Sequence, residues 1–194
     1  PKFKIDNFPF CQSDEKPIEN PNIDTIKETA KYLQQGKIVA WYQGNGEMGP
    51  RALGNRSLLF NPLIKDGKNI INKIKKRETY RPFGASILKE NLNEYIEGEI
   101  DNKYMLYVGK VKKNNLDSIT HVDGTCRFQV VDKDSLLYYD LIKEFFKLTN
   151  CPLVLNTSFN INGKPIMSTI KDAENFFKES DIDILVIGNK IYKK

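Results

Sequence analysis

The segment Gly46-Glu-Met-Gly-Pro-Arg-Ala-Leu-Gly-Asn-Arg-Ser57 carries three glycines and two arginines, a density that suggests close approach to a ligand. Gly49 and Gly54 have the GxxxxG spacing of a phosphate loop, which requires Lys and then Ser or Thr at the next two positions. Asn55 and Arg56 stand there instead, and Pro50 removes a backbone donor from a loop whose purpose would be to donate. The phosphate-loop reading therefore fails. Three further clusters are rich in groups that can do chemistry: KKRETYRPF, THVDGTCR and NTSFN. Lys75, Arg77 and Arg81 in the first repel one another unless something negative neutralises them. Ser158 and Asn160 in the last share a face if the strand runs on, presenting a hydroxyl and an amide together. Such groups orient a phosphate or a planar carbonyl compound.

The choice of cation narrows the chemistry. Only five of the 30 basic side chains are arginine, and all five lie between Arg51 and Arg127, as does the single histidine, His121. Lysines scatter over the whole chain. A sequence that uses Lys for generic surface charge keeps Arg where a planar, permanently charged fork is needed, as for bidentate grip on phosphate or carboxylate. The bland alternative is that these arginines cap carbonyls or pair with acidic side chains. The net charge of +5 suits a polyanionic partner but is a weak guide by itself.

The elements that must hold these clusters follow from periodicity. Helical stripes predict helices over Asn22 to Gln35 (Ile23, Ile26, Ala30, Leu33), Asp66 to Lys76 (Ile70, Ile71, Ile74), Leu136 to Leu148 and Lys171 to Lys178, with a short one near Glu90 to Tyr95. Apolar runs predict strands at Lys37 to Gln43, Ser57 to Phe60, Phe83 to Leu88, Tyr104 to Val111, Arg127 to Val131, Pro152 to Asn156, Asp183 to Ile187 and Lys190 to Tyr192. Their irregular alternation, with at least one hairpin, indicates an α/β or α+β fold on a mixed sheet. Each cluster falls at a strand end or the turn beside it, where a rigid sheet places functional groups. Residues 1–21 read as an extended lead-in without an element, and 22–194 as one domain. No run of about 18 apolar residues and no signal-like N-terminus occurs, which predicts a cytoplasmic chain. Cys11, Cys126 and Cys151 lack metal or disulfide spacing and read as small apolar residues.

Taken in order, WYQGNGEMGPRALGNRSLL, INKIKKRETYRPF, THVDGTCRFQVV and LVLNTSFNINGKPI closely resemble the C-terminal domain of the NodU/CmcH carbamoyltransferases, from about Gly36 to the C-terminus. That family modifies antibiotics, nodulation factors and surface sugars. The resemblance implies a YrdC-like fold, a twisted mixed sheet around a concave nucleotide site, and the Lys75-x-Arg77 and Ser158-x-Asn160 pairs look like its KxR and SxN signature. It also implies a reaction: carbamoyl phosphate and ATP, with Mg²⁺ as the nucleotide's companion, give a carbamoyl adenylate and pyrophosphate, and the carbamoyl group passes to a sugar-like hydroxyl. In the family the transfer step and an iron site belong to an N-terminal actin-like ATPase-fold half, so this domain is expected to bind no metal of its own. Two departures stand out: Asn45 where many members have Arg, and RPFGAS in place of RPFAPS.

By that analogy Lys75 and Arg77 serve the triphosphate and, with Arg127 and His121, form the catalytic set. Arg51, Arg56 and Arg81 share the binding of phosphates and the carbamoyl group, while Ser158, Asn160 and Asn156 orient the nucleotide. His121 is open to two readings, a general base or a hydrogen-bonding residue of its turn, with Asp123 fixing that turn or touching the metal. Glu47 and Asn55 read as residues that shape the glycine turn, and Trp41 and Tyr42 as core. An alternative function is a YrdC-like RNA- or nucleotide-binding module without catalysis; another is a silent partner domain. Clustered arginines among scattered lysines favour a pocket over a nucleic-acid surface.

Overall fold

The computed structural model describes residues 10–11 and 18–194. In chain order the elements are β1 (Phe10–Cys11), α1 (Ile23–Gln34), β2 (Val39–Tyr42), β3 (Gly46–Glu47), β4 (Arg56–Phe60), α2 (Gly67–Ile74), β5 (Gly84–Leu88), α3 (Leu92–Tyr95), β6 (Ile96–Glu97), β7 (Val108–Val111), β8 (Thr125–Val131), α4 (Leu136–Thr149), β9 (Leu153–Ser158), α5 (Ile170–Glu179), β10 (Ile184–Ile187) and β11 (Lys190–Lys193). Among the described residues, nine strands form one mixed sheet in the order β11-β10-β2-β4-β9-β5-β8-β7-β6. Among the described residues, β2 pairs parallel with β10 and β5 with β8, and the other neighbours in the sheet run antiparallel. The mixed α/β class expected from the sequence is the observed one.

Local causes are legible. Asn22 caps α1 by accepting the Thr25 N–H at 2.9 Å, and Thr25, Ile26, Thr29, Ala30 and Leu33 form its buried stripe. Ile23, expected in that stripe, is 49% exposed. The stripe packs mainly against α4. The hairpin β10–β11 turns at Gly188, whose φ of +55° suits glycine. The core is continuous from Ile26 and Leu33 through Trp41, Leu58 and Phe60 to Phe128, Phe145 and Leu155.

Two expectations need correction. The strand expected from Tyr104 forms only at Val108, because Asn102 claims the preceding backbone. Its Oδ1 accepts the Leu106 N–H at 2.8 Å, and its Nδ2 donates to Tyr107 O at 3.1 Å and Phe128 O at 2.8 Å. Met105 there has φ +55°. Within the expected lead-in, Phe10–Cys11 does form an element, pairing antiparallel with Gly46–Glu47; its other expected features fall on 1–9 and 12–17, outside the described residues. The cysteines Cys126 and Cys151 are buried, which pushes their thiols up to about 12 and about 11. Among the described residues, no helix is long and apolar enough to cross a membrane.

Candidate functional site

Strand register assembles the polar groups. Leu59 opposes Asn156, Asn156 opposes Gly84, Gly84 opposes Arg127, and Arg127 opposes Val108, so one row crosses five strands. Opposed residues share a face of the sheet, and alternation adds Ser57, Ser158, Ser86 and Gln129 to it. Gly84 keeps the row open: a Cβ there would lie 3.2 Å from Arg127 O and 3.5 Å from Met105 Sδ.

The glycine-arginine segment is folded over this face by a single carboxylate. Glu47 Oε1 accepts the N–H groups of Leu53 (2.8 Å), Asn55 (2.9 Å) and Arg56 (3.1 Å), and Oε2 also faces the Arg56 N–H at 3.1 Å. Asn55 Nδ2 donates to Asn45 O at 2.7 Å, and Trp41 Nε1 to Gly54 O at 2.9 Å. Three converging backbone donors and a fixed carboxylate make a rigid loop, and its outer turn carries Arg51.

The five arginines do not all serve one hollow. Arg56, grouped above with the ligand-binding residues, is a core residue. It is fully buried, with its guanidinium 3.5 Å from the Tyr42 ring centroid and its fork on Gln43 O (2.5 Å) and Gly44 O (3.1 Å). Carbonyls and an aromatic face hold its charge from within the protein. Arg81 is exposed and paired with Glu78 at 3.0 Å. Arg51, Arg77 and Arg127 do converge. They line a cleft of about 90 Å³ together with Gly84, Asn156 and Ser158.

Within the cleft the cations differ in how much of their charge is spent. Arg77 donates from Nε to Asn72 Oδ1 at 2.6 Å and stacks 4.3 Å from the Phe83 ring centroid. Burial first and the Arg81 charge second push it down to about 10, so it stays protonated at neutral pH. The guanidinium groups of Arg51 and Arg127 have no hydrogen-bond or ion-pair partner among the described residues. Burial lowers Arg127, and the neighbouring Arg51 charge adds to it. Two unpaired guanidinium groups near enough to repel, at the open end of a half-buried row, concentrate positive charge that an anionic oxygen between them would offset.

Lys75 joins the two signature pairs directly. It is 2% exposed, and its Nζ donates to Ser158 O (2.6 Å), Ser158 Oγ (3.3 Å), Asn160 O (3.2 Å) and Asn160 Oδ1 (2.7 Å). Burial, reinforced by Arg77, pushes its pKa down to about 7. All four acceptors belong to this chain, so the ammonium fixes the Ser158–Asn160 turn, and Ser158 is the member of that pair that lines the cleft. His121 is not a lining residue. Its Nδ1 lies 3.1 Å from Thr125 Oγ1, and burial lowers its pKa, with Asp123 opposing and Arg127 and Lys68 reinforcing. Asp123 accepts from Thr125 N at 3.0 Å and Thr125 Oγ1 at 2.7 Å, a turn-fixing role.

Sequence reasoning passed over Ser86, Gln129 and Met105. The first two had a signal, since they stand two residues from Gly84 and Arg127 and so lie on the same face of an apolar strand. Met105 had none. A larger groove of about 290 Å³ lies between segment 161–168 and α5, but it is lined by Asp172 and Glu179 with Lys164 and gathers no cluster of cations.

A mixed α/β sheet with a small cleft lined by three guanidinium groups defines a domain suited to phosphorylated or carboxylated ligands. The chain belongs to the family described as "Carbamoyltransferase C-terminus", whose family model matches residues 30–194. It is 42% identical over 179 residues to the nodulation protein NolNO of Sinorhizobium fredii, covering 88% of this chain and 26% of that protein. It is 34% identical over 169 residues to a 3'-hydroxymethylcephem-O-carbamoyltransferase of Amycolatopsis lactamdurans, covering 86% and 32%. The chain thus spans about a quarter to a third of the length of these relatives. Its fold is the YrdC-like one: full-length HypF in its phosphate- and nucleotide-bound form superposes with a TM-score of 0.62 at 22% identity, covering 87% of this chain and 26% of that one.

Proposed function

We propose that this domain binds ATP and carbamoyl phosphate and forms the carbamoyl adenylate that an O-carbamoyltransferase passes to a hydroxyl of a sugar-like acceptor. The observation that carries the reading is the pair of unpaired guanidinium groups, Arg51 and Arg127, facing the cleft that Arg77 and Ser158 also line. Carbamoyl phosphate gives up its phosphate to water, leaving carbamate. A carbamate oxygen then attacks the α-phosphorus, the bond from that phosphorus to the bridging oxygen of the β-phosphate breaks, and pyrophosphate leaves with the electron pair. Several anionic oxygens must be held together, and fixed guanidinium groups do this without changing protonation state. Among the described residues the cleft is lined by no carboxylate. Mg²⁺ would therefore arrive on the triphosphate and be held by its oxygens. Transfer to the acceptor is assigned to an N-terminal actin-like half of the longer proteins.

The test is pyrophosphate release from MgATP. It is expected to require carbamoyl phosphate and to fall about 100-fold or more in Arg127→Ala, the scale of losing one preorganised donor to developing charge. Release that is indifferent to carbamoyl phosphate, or unaltered in the variant, would refute the assignment.

A further inference from the structure

Beneath the arginines runs a chain of hydrogen bonds whose direction can be worked out. Gln129 Nε2 donates to Leu53 O at 2.9 Å. A carbonyl oxygen can only accept, so this contact fixes the Gln129 amide and turns its Oε1 toward Ser86. Ser86 Oγ lies 2.8 Å from that Oε1 and must spend its one proton there. It is therefore an acceptor toward Asn156, whose Nδ2 lies 2.9 Å away. The second Nδ2 hydrogen goes to Ala52 O at 3.1 Å, a second carbonyl that can only accept. Both ends of the relay are thus anchored on neighbouring carbonyls of the Glu47 loop. Its polarity cannot be reversed by flipping either amide.

The relay has a consequence at the cleft. With both hydrogens of Asn156 committed, its Oδ1 is left as a bare acceptor, and it has no partner among the described residues. Asn156 is 1% exposed, so an unpaired acceptor there is unfavourable unless a ligand donor completes it. The residue lines the same cleft as Arg51 and Arg127. We infer that Asn156, held by Ser86 and Gln129, is a specificity determinant that accepts an N–H from the ligand. The site then favours compounds carrying an amide N–H beside an anionic phosphate over isosteres with a methyl group in that place. This rests on the proposed function, whose carbamoyl ligand has such an N–H. A site built around a buried polar partner rejects analogues that leave it unpaired.

Carbamoyl phosphate and acetyl phosphate form a matched pair, alike in charge and shape and differing in NH₂ against CH₃. Calorimetric titration of the unaltered chain with each is expected to show carbamoyl phosphate binding about tenfold or more tightly. In Asn156→Leu the ratio of the two affinities falls toward one. Ser86→Ala, which frees one Asn156 hydrogen and loosens the amide, lowers the ratio severalfold and serves if the leucine variant does not fold. Equal binding of both compounds to the unaltered chain overturns the inference and leaves the anion cleft standing. A preference that survives intact in the folded Asn156→Leu, or in Ser86→Ala, overturns it as well. Binding of neither compound overturns both this inference and the carbamoyl phosphate reading it rests on.

Discussion

Replacing Glu47 by alanine removes one carboxylate and strands three backbone N–H groups, those of Leu53, Asn55 and Arg56, that it holds at 2.8 to 3.1 Å. A hydrogen bond to a charged acceptor is worth about 1.5–3 kcal/mol net. Not all of that is lost, because Asn55 is half-buried and its N–H regains water, while Arg56 is fully buried and its N–H does not. With the Leu53 and Arg56 N–H groups both left buried, the loss is about 3–6 kcal/mol, which for a chain of this size lowers Tm by roughly 6–24 °C. Glu47→Gln keeps an acceptor but turns an NH₂ toward the Arg56 N–H, and should cost about half as much. Thermal unfolding followed by circular dichroism reads both. Titration with inorganic phosphate should weaken in parallel, since the loop carries Arg51 and the carbonyls that anchor Asn156 and Gln129. A Glu47→Ala protein that melts within about 2 °C of the parent would refute the claim that this carboxylate organises the loop.

Two further predictions concern the loop's neighbours. Lys75 is pushed from 10.5 to about 7, so between those values the folded chain binds fewer protons than the unfolded one. Stability relative to Lys75→Met is therefore lowest and flat below about pH 7, and rises by up to about 1.4 kcal/mol per pH unit toward 10.5; urea midpoints of the two proteins that track each other from pH 7 to 10 would refute this. Gly54→Ala should destabilise by about 3 kcal/mol or more, because φ is +106° and a Cβ would lie 2.3 Å from the Tyr138 ring; an unchanged denaturation midpoint would show that the ring is free to move aside.

Much of the fold was legible because its causes are local. The periodicity of α1, α2, α4 and α5 located those helices to within a few residues, and the start expected at Asn22 is where that side chain caps α1. The strand expected from Tyr104 was misjudged because Asn102, a residue with no strand signal, takes the carbonyl and N–H of Tyr107. The candidate site was legible as a set of clusters but not as a geometry. Arg51, Arg77 and Arg127 gather at the cleft as the clustering suggested, whereas Arg56, chemically the same and close to Arg51 in sequence, turns inward onto Tyr42. Side-chain alternation along β4 and a waiting pair of carbonyls decide that, and neither is visible in residue type.

The amino-acid sequence alone determined the element periods, the sparing use of arginine and the four motifs that identify the family, since each is a property of neighbouring residues. Only the tertiary structure decided which cations keep their charge available. β4, β9, β5 and β8 lie side by side although far apart in the chain, and it is their register that sets Asn156, Gly84 and Arg127 in one row. Whether a guanidinium is spent on the protein's own carbonyls or left for a ligand depends on what that packing puts within hydrogen-bonding reach.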